Sequence, residues 1–416
     1  MTRPLSRRTV LSGLTAAALL APLTACSGGS SPGAQELEFF QFKSEAIQLF
    51  DRICNQFNAG HPGVNFRQNF QADNVTALRV RLVKGRMPDA ITINGDYNFG
   101  SLARSRVFHN FAGSAPMANV TPSIAEILPT LGVGAPGENN GLPFANNGSG
   151  MIYNREIFDR HNLRPPTTWD ELIAIADDLK GRGVDPFYWG FRDTWTGAPM
   201  FSSISANQLG DVAGWYERRR LGQTNFEELT PTLQKMLQIA AYGNANKFDI
   251  GYNDANQGFS QGRAAMYVHG TYAIPAIRSY NPDIQLGTFA TPADRAEDTR
   301  VVSGVDVALT CGTDPKPEVL QFFEYLMQQE NMAAYCAEQV AFPTLTGMQA
   351  TDPALEGLVP YFTSQRLATY SDHNFPQGVN LNNYMQQFLI NRNIPAFVNR
   401  LNTQWDRVIA RLNSTM

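Results

Sequence analysis

The sequence predicts a globular α/β protein that is built from two domains. Its 416 residues exceed the ~250–300 residues at which a single hydrophobic core stops growing, so two domains are the natural number. From residue 36 onward, short apolar segments of strand type alternate with amphipathic helical segments, which indicates parallel strands joined by helical crossovers. A composition of 43% hydrophobic and 17% charged residues excludes collagen-like, coiled-coil and largely disordered proteins.

The charge balance narrows the class of partner. The formal net charge is −4, which argues against a nucleic-acid-binding protein because such proteins need a basic face for phosphates. The first 25 residues contribute three arginines and no acid, so the remaining chain carries −7. A mildly acidic body suits a neutral, hydroxyl-rich or cationic partner better than an anionic one.

Residues 1–25 predict an export signal, because a basic start precedes an apolar run that is too short to span a membrane. Arg7 and Arg8 resemble a twin-arginine signal, although the general export route stays open. The sequence Leu-Thr-Ala-Cys at 23–26 resembles the lipobox of bacterial lipoproteins, in which the cysteine is lipidated after cleavage. A Ser- and Gly-rich tether follows Cys26 and completes a predicted lipidated segment at 26–35. The alternative is an ordinary secretory peptide with a chance cysteine.

The first domain begins with a regular alternation of elements. Period-two apolar segments predict strands, and 3.6-residue periodicity predicts helices between them. The predicted strands are 36–42, 64–70 and 90–94, and the predicted helices are 44–59 and 74–84. In parallel sheets, ligands bind beyond the carboxyl ends of the strands. Lys43 follows the first strand and Asp96 follows the third, so both are candidate ligand-binding residues; the alternative is a solvated surface charge.

Near residue 140 the composition of the sequence changes, and this change predicts a crossover between domains. Residues 141–150 are rich in Gly and Asn and predict a loop that leads into a short strand at 151–153. The loop has neither of the glycine patterns that bind phosphate, so a phosphate site is not indicated. Downstream, Thr168 and Glu171 predict a capping box at the start of a helix through residue 180.

Several segments, taken in order, resemble one family. Residues 139–172 resemble the domain-crossing segment of the extracellular solute-binding proteins of sugar ABC importers, the maltose-binding-protein-like family. The segment F-S-Q-G-R-A-A-M-Y-V-H-G-T-Y at 259–272 is similar to the family's G-x-A-A-M…G-x-W motif, with Tyr272 in place of the usual Trp. The segment V-S-G-V-D-V-A-L at 302–309 resembles the strand that returns to the first domain. The following helix at 317–326 and a Pro-Thr turn also match, so the resemblance covers nearly the whole mature chain.

This resemblance implies a two-lobed periplasmic-binding-protein-like α/β fold with hinge crossings and a ligand cleft between the lobes. The implied boundaries place 36–143 and 304–345 in lobe one, and 144–303 and 346–416 in lobe two.

A sugar ligand requires aromatic rings for its C–H faces and planar polar side chains for its hydroxyls. Trp195 lies in a polar, turn-like segment, and Tyr272 holds the family's aromatic position; core packing is the alternative for Trp195. Asp306 lies within an apolar strand, where an unpaired carboxylate would be costly, so we expect it to accept from a ligand or from a structural partner. The full set of predicted ligand-binding residues is Lys43, Asp96, Asn146, Asn147, Trp195, Tyr272, Asp306, Asp372 and His373.

The cysteines offer little chemistry. Cys54 falls on the apolar face of a predicted helix and is expected to be a core thiol. Cys311 and Cys336 allow one disulfide in an oxidising compartment, and the sequence does not decide whether it forms. No Cys or His spacing indicates a metal site, and we expect no cofactor.

The leading function implied by the resemblance is a lipid-anchored, monomeric binding protein that captures an oligosaccharide and delivers it to an ABC permease. It would not be an enzyme. One alternative is a different solute, such as a polyamine or glycerol phosphate. The other is a secreted glycoside hydrolase, which would need two carboxylates across the scissile bond.

Overall fold

The computed structural model describes residues 33–414, so the predicted signal peptide and Cys26 lie outside the described part of the chain. Ten strands alternate with helices in this part. The strands are β1 Gln35–Gln41, β2 Val64–Phe70, β3 Ala90–Ile93, β4 Leu142–Asn154, β5 Asp185–Phe187, β6 Ala264–Gly270, β7 Leu286–Phe289, β8 Val301–Thr310, β9 Phe342–Pro343 and β10 Leu367–Ala368.

Helices cover both faces of the strands. They are α1 Ile47–Gly60, α2 Asn74–Val83, α3 Tyr97–Arg104, α4 Ala115–Ala118, α5 Pro122–Ala125, α6 Ile127–Leu131, α7 Arg155–Arg160, α8 Trp169–Gly181, α9 Ala198–Leu209, α10 Val212–Arg220, α11 Thr230–Ala240, α12 Tyr252–Ser260, α13 Ala273–Tyr280, α14 Pro317–Leu326, α15 Gln329–Gln339, α16 Val359–Thr363, α17 Leu381–Asn391 and α18 Ile394–Ser414. Short 3-10 helices include Ser44–Ala46, Thr194–Gly197 and Asp372–Asn374.

The first five predicted elements are confirmed to within one residue, except that the helix predicted from residue 44 begins as the 3-10 helix Ser44–Ala46 and continues as α1 from Ile47. Strand β1 pairs in parallel with both β2 and β3, as the predicted crossovers require. The predicted capping box also forms: the Thr168 hydroxyl accepts from the Glu171 backbone N–H, and the Glu171 carboxylate accepts from the Thr168 backbone N–H.

One continuous sheet joins the two halves of the protein. Its strand order is β2-β1-β3-β8-β4-β6-β5, and the long strands β4 and β8 run antiparallel through its centre. Residues 142–149 of β4 pair with almost the whole of β8, and residues 149–154 pair with β6 and β7. The two long strands therefore belong to both halves and form the crossings between them.

The predicted loop at 141–150 is wrong, because these residues form the first part of β4. The stretch is rich in Gly and Asn, which are poor strand formers, but β8 pairs along almost its whole length. Gly150 shows why the glycines are needed: a Cβ at this position would come 2.5 Å from the carbonyl oxygen of Phe289. Tertiary crowding, rather than turn formation, accounts for glycine in this segment.

The hydrophobic cores divide at the crossing strands. Phe39 packs with α1 and α14 on one face of the first sheet half, whereas its neighbour Phe40 packs with α3 on the other face. Met151 and Ile152 alternate between two cores of the second half in the same way. Each half is thus a sheet covered by helices on both faces, which is the α/β layer arrangement that the sequence predicted.

We propose that the lobe boundaries lie where the sequence placed them, with 36–143 and 304–345 in lobe one and 144–303 and 346–416 in lobe two. The division of the cores supports these limits. There are two exceptions: Phe144 and Ala145, assigned to lobe two, pack in a core of the first half, and Val340 and Phe342, assigned to lobe one, pack in a core of the second half. At residues 340–342, neighbouring residues therefore contribute to the cores of different halves.

The three cysteines in the described part of the chain are buried and free. The disulfide alternative for Cys311 and Cys336 is therefore not realised. Burial raises the pKa of both thiols to about 12, so they stay protonated and unreactive at neutral pH. Among residues 33–414, every helix is too short or too polar to cross a membrane.

Candidate ligand-binding site between the lobes

Lys43 leaves the carboxyl end of β1 and turns inward, where only 6% of its surface is exposed. Its Nζ donates to Oδ2 of Asp306, on the crossing strand β8, over 2.9 Å. A second carboxylate, from Glu45, lies 3.8 Å from the same ammonium. The Lys43 Nζ also lies 5.9 Å from the ring centroid of Tyr272, which belongs to the other lobe. Lys43 therefore joins lobe one, the crossing strand and lobe two.

The two carboxylates keep this lysine charged. Burial alone would lower the pKa of Lys43, but Asp306 and Glu45 outweigh it, and the pKa lies above its ordinary value. Burial would likewise raise the pKa of Glu45, but the neighbouring ammonium outweighs it, and that pKa lies below its ordinary value. Both groups of this ion pair therefore stay charged at physiological pH.

A hydrogen-bonded chain extends from Asp306 across the crossing segments. Asn147 on β4 donates to Oδ1 of Asp306 over 3.4 Å, and the Tyr370 hydroxyl donates to Oδ1 of Asn147 over 2.9 Å. Because the Tyr370 proton is used in that bond, Ser149 donates to the Tyr370 oxygen over 2.7 Å. This network links β4, β8 and the segment after β10, and it holds the Asn147 side chain in place.

Asn146 differs from its neighbour. It is fully buried on β4, and both polar atoms of its side chain lack a hydrogen-bond partner among the described residues. It does not line the inter-lobe cavity described below. A contact between Asn146 and ligand stays a prediction.

Asp96 lies at the carboxyl end of β3 and caps α3. Its Oδ1 accepts from the backbone N–H groups of Asn98 and Phe99 at 2.8 and 3.2 Å. An N-cap aspartate explains why the chain turns at this point, because its carboxylate satisfies two free helix donors. Asn94 and Asn98, on either side of this cap, line the cavity described next.

An inter-lobe cavity of about 690 Å³ lies against this turn. We call it the cleft. Lobe one contributes the β3–α3 turn, and lobe two contributes Trp195 and the segment that leads into α17. Its polar lining consists of amides, carboxylates and one imidazole: Asn94, Asp96, Asn98, Asp372, His373, Gln377, Asn380 and Asn382. Neither Lys nor Arg belongs to this lining among residues 33–414.

The segment after β10 is anchored below the cleft. Asp372 accepts a hydrogen bond from the Ser202 hydroxyl, and the His373 ring stacks on Tyr370 with centroids 4.5 Å apart. Gln377, further along, accepts from the guanidinium of Arg79 on α2. This last contact joins the two lobes across the mouth of the cleft.

Trp195 projects from a 3-10 turn that neighbouring polar groups hold in place. The Thr196 hydroxyl donates to two backbone carbonyls, and Asp193 accepts from the backbone N–H of Tyr252 over 2.7 Å. The Trp195 ring lies 4.9 Å from the ring of Tyr252 and 6.4 Å from that of Tyr272. It is 36% exposed, which is unusual for tryptophan and leaves one part of the ring open to the cleft.

Tyr272 and His269 complete an aromatic cluster with Trp195 and Tyr252. Gly270 is required between them, since a Cβ there would lie 2.2 Å from the Tyr272 ring. Burial lowers the pKa of His269 to about 3, so its imidazole is neutral at physiological pH. The cluster therefore presents aromatic surface without charge.

The structure thus brings together Asp96, Trp195, Asp372 and His373 around one cavity. Lys43, Asp306 and Asn147 form a neighbouring buried network, and Tyr272 connects that network to Trp195. The ligand role of all nine predicted residues stays a prediction. Sequence reasoning missed Glu45, His269, Tyr252, Tyr370 and Gln377; the position of Glu45 two residues after Lys43 was the one signal that could have found it.

Comparison with known proteins gives a consistent result. The profile of the bacterial extracellular solute-binding proteins matches residues 43–333, which is more than half of the chain. The multiple sugar-binding protein of Streptococcus mutans is 26% identical over 327 residues, which is 75% of this chain and 77% of that protein. The melibiose/raffinose/stachyose-binding protein MelE of Bacillus subtilis is 21% identical over 79% of this chain and 78% of its own.

The fold is also found among solved structures. The solute-binding protein RafE in complex with raffinose superposes with a TM-score of 0.80 at 22% identity, over 89% of this chain and 99% of that chain. This likeness establishes the two-lobed fold with hinge crossings.

Proposed function

Because the chain belongs to the bacterial extracellular solute-binding proteins, we propose that it captures a neutral oligosaccharide in the cleft and acts as a binding protein, not an enzyme. The observation that carries this proposal is the lining of the cleft, which combines an exposed tryptophan with amides from both lobes. Relatives whose names record sugar binding support the same class of ligand.

The polar lining suits hydroxyl groups. Each amide offers two donors and an acceptor, so Asn94, Asn380 and Asn382 can match a hydroxyl in either role. The side-chain oxygens of Asn98 and Gln377 accept from Arg79, so these two amides add donors. Asp96 and Asp372 add acceptors on opposite sides of the cavity, since one follows β3 and the other precedes α17. A sugar whose hydroxyls bridge these two sides would favour the closed arrangement of the lobes.

The aromatic cluster suits the apolar faces of a sugar ring. Trp195 has an open part of its ring, and the rings of Tyr252 and Tyr272 support it from behind. A supported ring loses little conformational freedom when a ligand stacks on it, which makes it an efficient platform.

The charges of the cleft disfavour the two other solutes. A phosphate ester would need cationic side chains, and none of Arg218, Arg219 and Arg220, which form the basic run on α10, lines the cleft. A polyamine carries several ammonium groups, whereas the lining offers two carboxylates, Asp96 and Asp372, among five amides. A hydrolase needs carboxylates that exchange protons with a substrate, and Asp96 and Asp372 are instead held by hydrogen bonds from the α3 backbone and from Ser202.

The cellular location and the membrane partner of the protein are also inferred. The protein is extracytoplasmic, as its family is, and we infer that a lipid on Cys26 anchors it to the outer face of the cell membrane. The closed, sugar-loaded form would be recognised by the membrane subunits of an ABC permease. We expect a monomer, since one chain provides both walls of the cleft.

The test is a titration of the purified mature chain with raffinose, stachyose and melibiose by calorimetry, with a thermal-shift screen across other oligosaccharides. Binding should raise the melting temperature and reduce the radius of gyration measured by solution scattering. Products should be checked by chromatography after prolonged incubation. Binding of sn-glycerol 3-phosphate or spermidine in place of every sugar, or release of shorter sugars, would contradict the proposal.

A further inference from the structure

One guanidinium group contacts cleft-lining side chains of both lobes. Arg79 on α2 donates through Nη1 to Oε1 of Gln377, and through Nη2 to Oδ1 of Asn98 over 3.4 Å. Asn98 belongs to lobe one and Gln377 to lobe two, and both line the cleft. Arg79 itself does not line the cleft. Arg79 is therefore placed to affect a ligand through these two amides and not by direct contact.

The lobe-one side of this contact is rigid. Leu78, the residue before Arg79, is fully buried and packs in the core that also contains Phe99, the residue after Asn98. Because α2 and α3 share this core, the packing of lobe one sets the distance between the Arg79 guanidinium and the Asn98 amide. A residue on such a fixed element can hold a neighbouring side chain in one position.

The orientation of the Asn98 amide follows from its two neighbours. Its Oδ1 accepts from Arg79, and its Nδ2 donates to Oδ2 of Asp96 over 3.3 Å. A guanidinium can only donate and an ionised carboxylate can only accept, so a flipped amide would oppose like groups at both contacts. One N–H of the amide then has no protein acceptor among residues 33–414. This N–H is available to a ligand in the cleft.

A tight turn presents Gln377 from lobe two. The backbone N–H of Val379 donates to the carbonyl of Pro376 over 3.1 Å, and Gly378 has a positive φ of 106°. A hydrogen-bonded turn with glycine in this conformation at its third position is a type II turn. Phe375, just before the turn, packs in the core of lobe two. The turn therefore moves with lobe two, while the Gln377 side chain reaches lobe one.

Arg79 has no carboxylate partner among residues 33–414, and its side chain donates to the two amides instead. Arg81, two residues further along α2, differs because it pairs with Glu38 over 2.6 Å. Hydrogen bonds from a charged donor are about twice as strong as those between neutral groups. A guanidinium bonded to both amide oxygens also polarises the amides, which strengthens the hydrogen bonds that their N–H groups donate to a ligand.

We propose that Arg79 is a positioning residue that holds the amides of Asn98 and Gln377 with their N–H groups towards the ligand. Opening of the hinge would carry Gln377 away from Arg79 and leave its amide free to rotate, so the full arrangement exists only when the lobes are closed. The mouth of the cleft is then specific for ligand oxygens that accept hydrogen bonds. This inference rests on the function proposed for the cleft, whereas the contacts of Arg79 do not.

Binding of raffinose and stachyose to the mature chain tests the positioning role. Arg79→Met keeps the aliphatic part of the side chain and removes its donors, so affinity should fall about tenfold, mainly through faster dissociation. Arg79→Lys, which can bond one amide at a time, should lose about threefold. Arg81→Met is the matched control on the same helix and should bind as the parent does. In a protein that already carries Asn98→Ala and Gln377→Ala, Arg79→Met should cost less than about twofold, because its effect passes through these amides.

Heteronuclear NMR of the ligand-free chain separates this inference from the function on which it rests. Arg79→Met should shift the side-chain amide signals of Asn98 and Gln377, and Arg81→Met should leave them unchanged. If the parent binds no sugar, the proposed function fails, but the amide signals still decide the role of Arg79. Unchanged signals at either amide in Arg79→Met would overturn the inference. So would equal sugar affinities of Arg79→Met and the parent, or a tenfold loss that persists without the two amides.

Discussion

At the scale of single residues, the ion pair between Lys43 and Asp306 sets the character of the region beside the cleft. The side chains are 7% and 11% exposed, so neither charge is compensated by bulk water. In such a position, removal of one partner lowers the free energy of unfolding far more than removal of both, because it leaves a single buried charge without compensation.

We therefore expect Asp306→Ala to reduce the free energy of unfolding by about 3–5 kcal/mol, since it leaves the Lys43 ammonium with Glu45 alone. Asp298→Ala is the control: Asp298 pairs with Arg295 at the surface, where a loss of at most about 1 kcal/mol is typical. Chemical denaturation measures both. A stable Asp306→Ala protein that no longer binds sugar would instead assign Asp306 to the ligand.

Trp195 provides a test of the ligand side of the same region. Trp195→Ala should weaken oligosaccharide binding at least about tenfold, or about 1.4 kcal/mol, because it removes the open ring of the aromatic cluster. Stability should change little, since the ring is 36% exposed. Tyr280→Ala, which removes a 48% exposed ring outside the cleft, should bind as the parent does. Equal calorimetric affinities in both variants would remove Trp195 from the site.

His269 makes stability depend on pH. Its folded-state pKa of about 3 lies below the ordinary value of 6.5, so between these values the unfolded chain binds a proton that the folded protein does not. Stability is therefore full above pH ~6.5 and falls as the pH decreases, by about 2 kcal/mol at pH 5 from this group alone. Denaturation at pH 5 and pH 8 should show a smaller difference in His269→Gln than in the parent; an identical difference would contradict a buried neutral imidazole.

At the scale of elements, β4 is the strand that most clearly joins the two lobes. It extends over 13 residues, with β8 followed by β7 along one edge and β9 followed by β6 along the other. Its glycines allow the backbone of neighbouring strands and loops to approach closely, and this approach lets one strand serve both lobes.

Gly150→Ala should lower the free energy of unfolding by about 1–3 kcal/mol, because the added Cβ would overlap the Phe289 carbonyl at 2.5 Å. Gly181→Ala is the control, because Gly181 ends α8 with open space around the position of its Cβ. It should be neutral or slightly stabilising. Similar unfolding midpoints for the two variants would show that β4 relaxes more easily than its packing indicates.

At the scale of the whole molecule, the two lobes share one sheet, two cavities and a polar network at the crossings. The Arg79–Gln377 contact across the mouth of the cleft and the Lys43–Tyr272 contact deeper inside both join the lobes. A ligand that bridges the same surfaces adds to the contacts that favour the closed arrangement of the lobes. Because it binds the closed state more tightly than the open state, it shifts the population towards closure.

The predicted anchor also belongs to this scale. Cys26→Ala should release much of the protein into the culture medium, because the tether would carry no acyl chains to hold it at the membrane. Fractionation followed by immunoblotting measures the released share. Ser27→Ala keeps the cysteine and should remain with the membrane fraction. A Cys26→Ala protein that stays membrane-bound to the same extent would contradict the anchor.

The sequence by itself determined the local structure and the class of protein. Apolar periodicity located the first five elements, Thr168 and Glu171 located a helix start, and ordered motifs indicated the family. It also placed Asp96 and Trp195 among the candidates that line one cavity. These features depend on neighbouring residues or on short patterns, which a linear reading contains.

Only the tertiary structure decided which distant side chains meet. Lys43 and Asp306 are 263 positions apart, and no local pattern predicts that they pair. The prediction of a loop in place of the first part of β4 was wrong because the glycines of this strand accommodate the close approach of segments from other parts of the chain. A cavity of about 480 Å³ likewise exists only where helices of both lobes converge on β8. Burial, cross-lobe pairing and cavity shape arise from packing between remote segments. The periodicity of a single sequence carries no information about that packing.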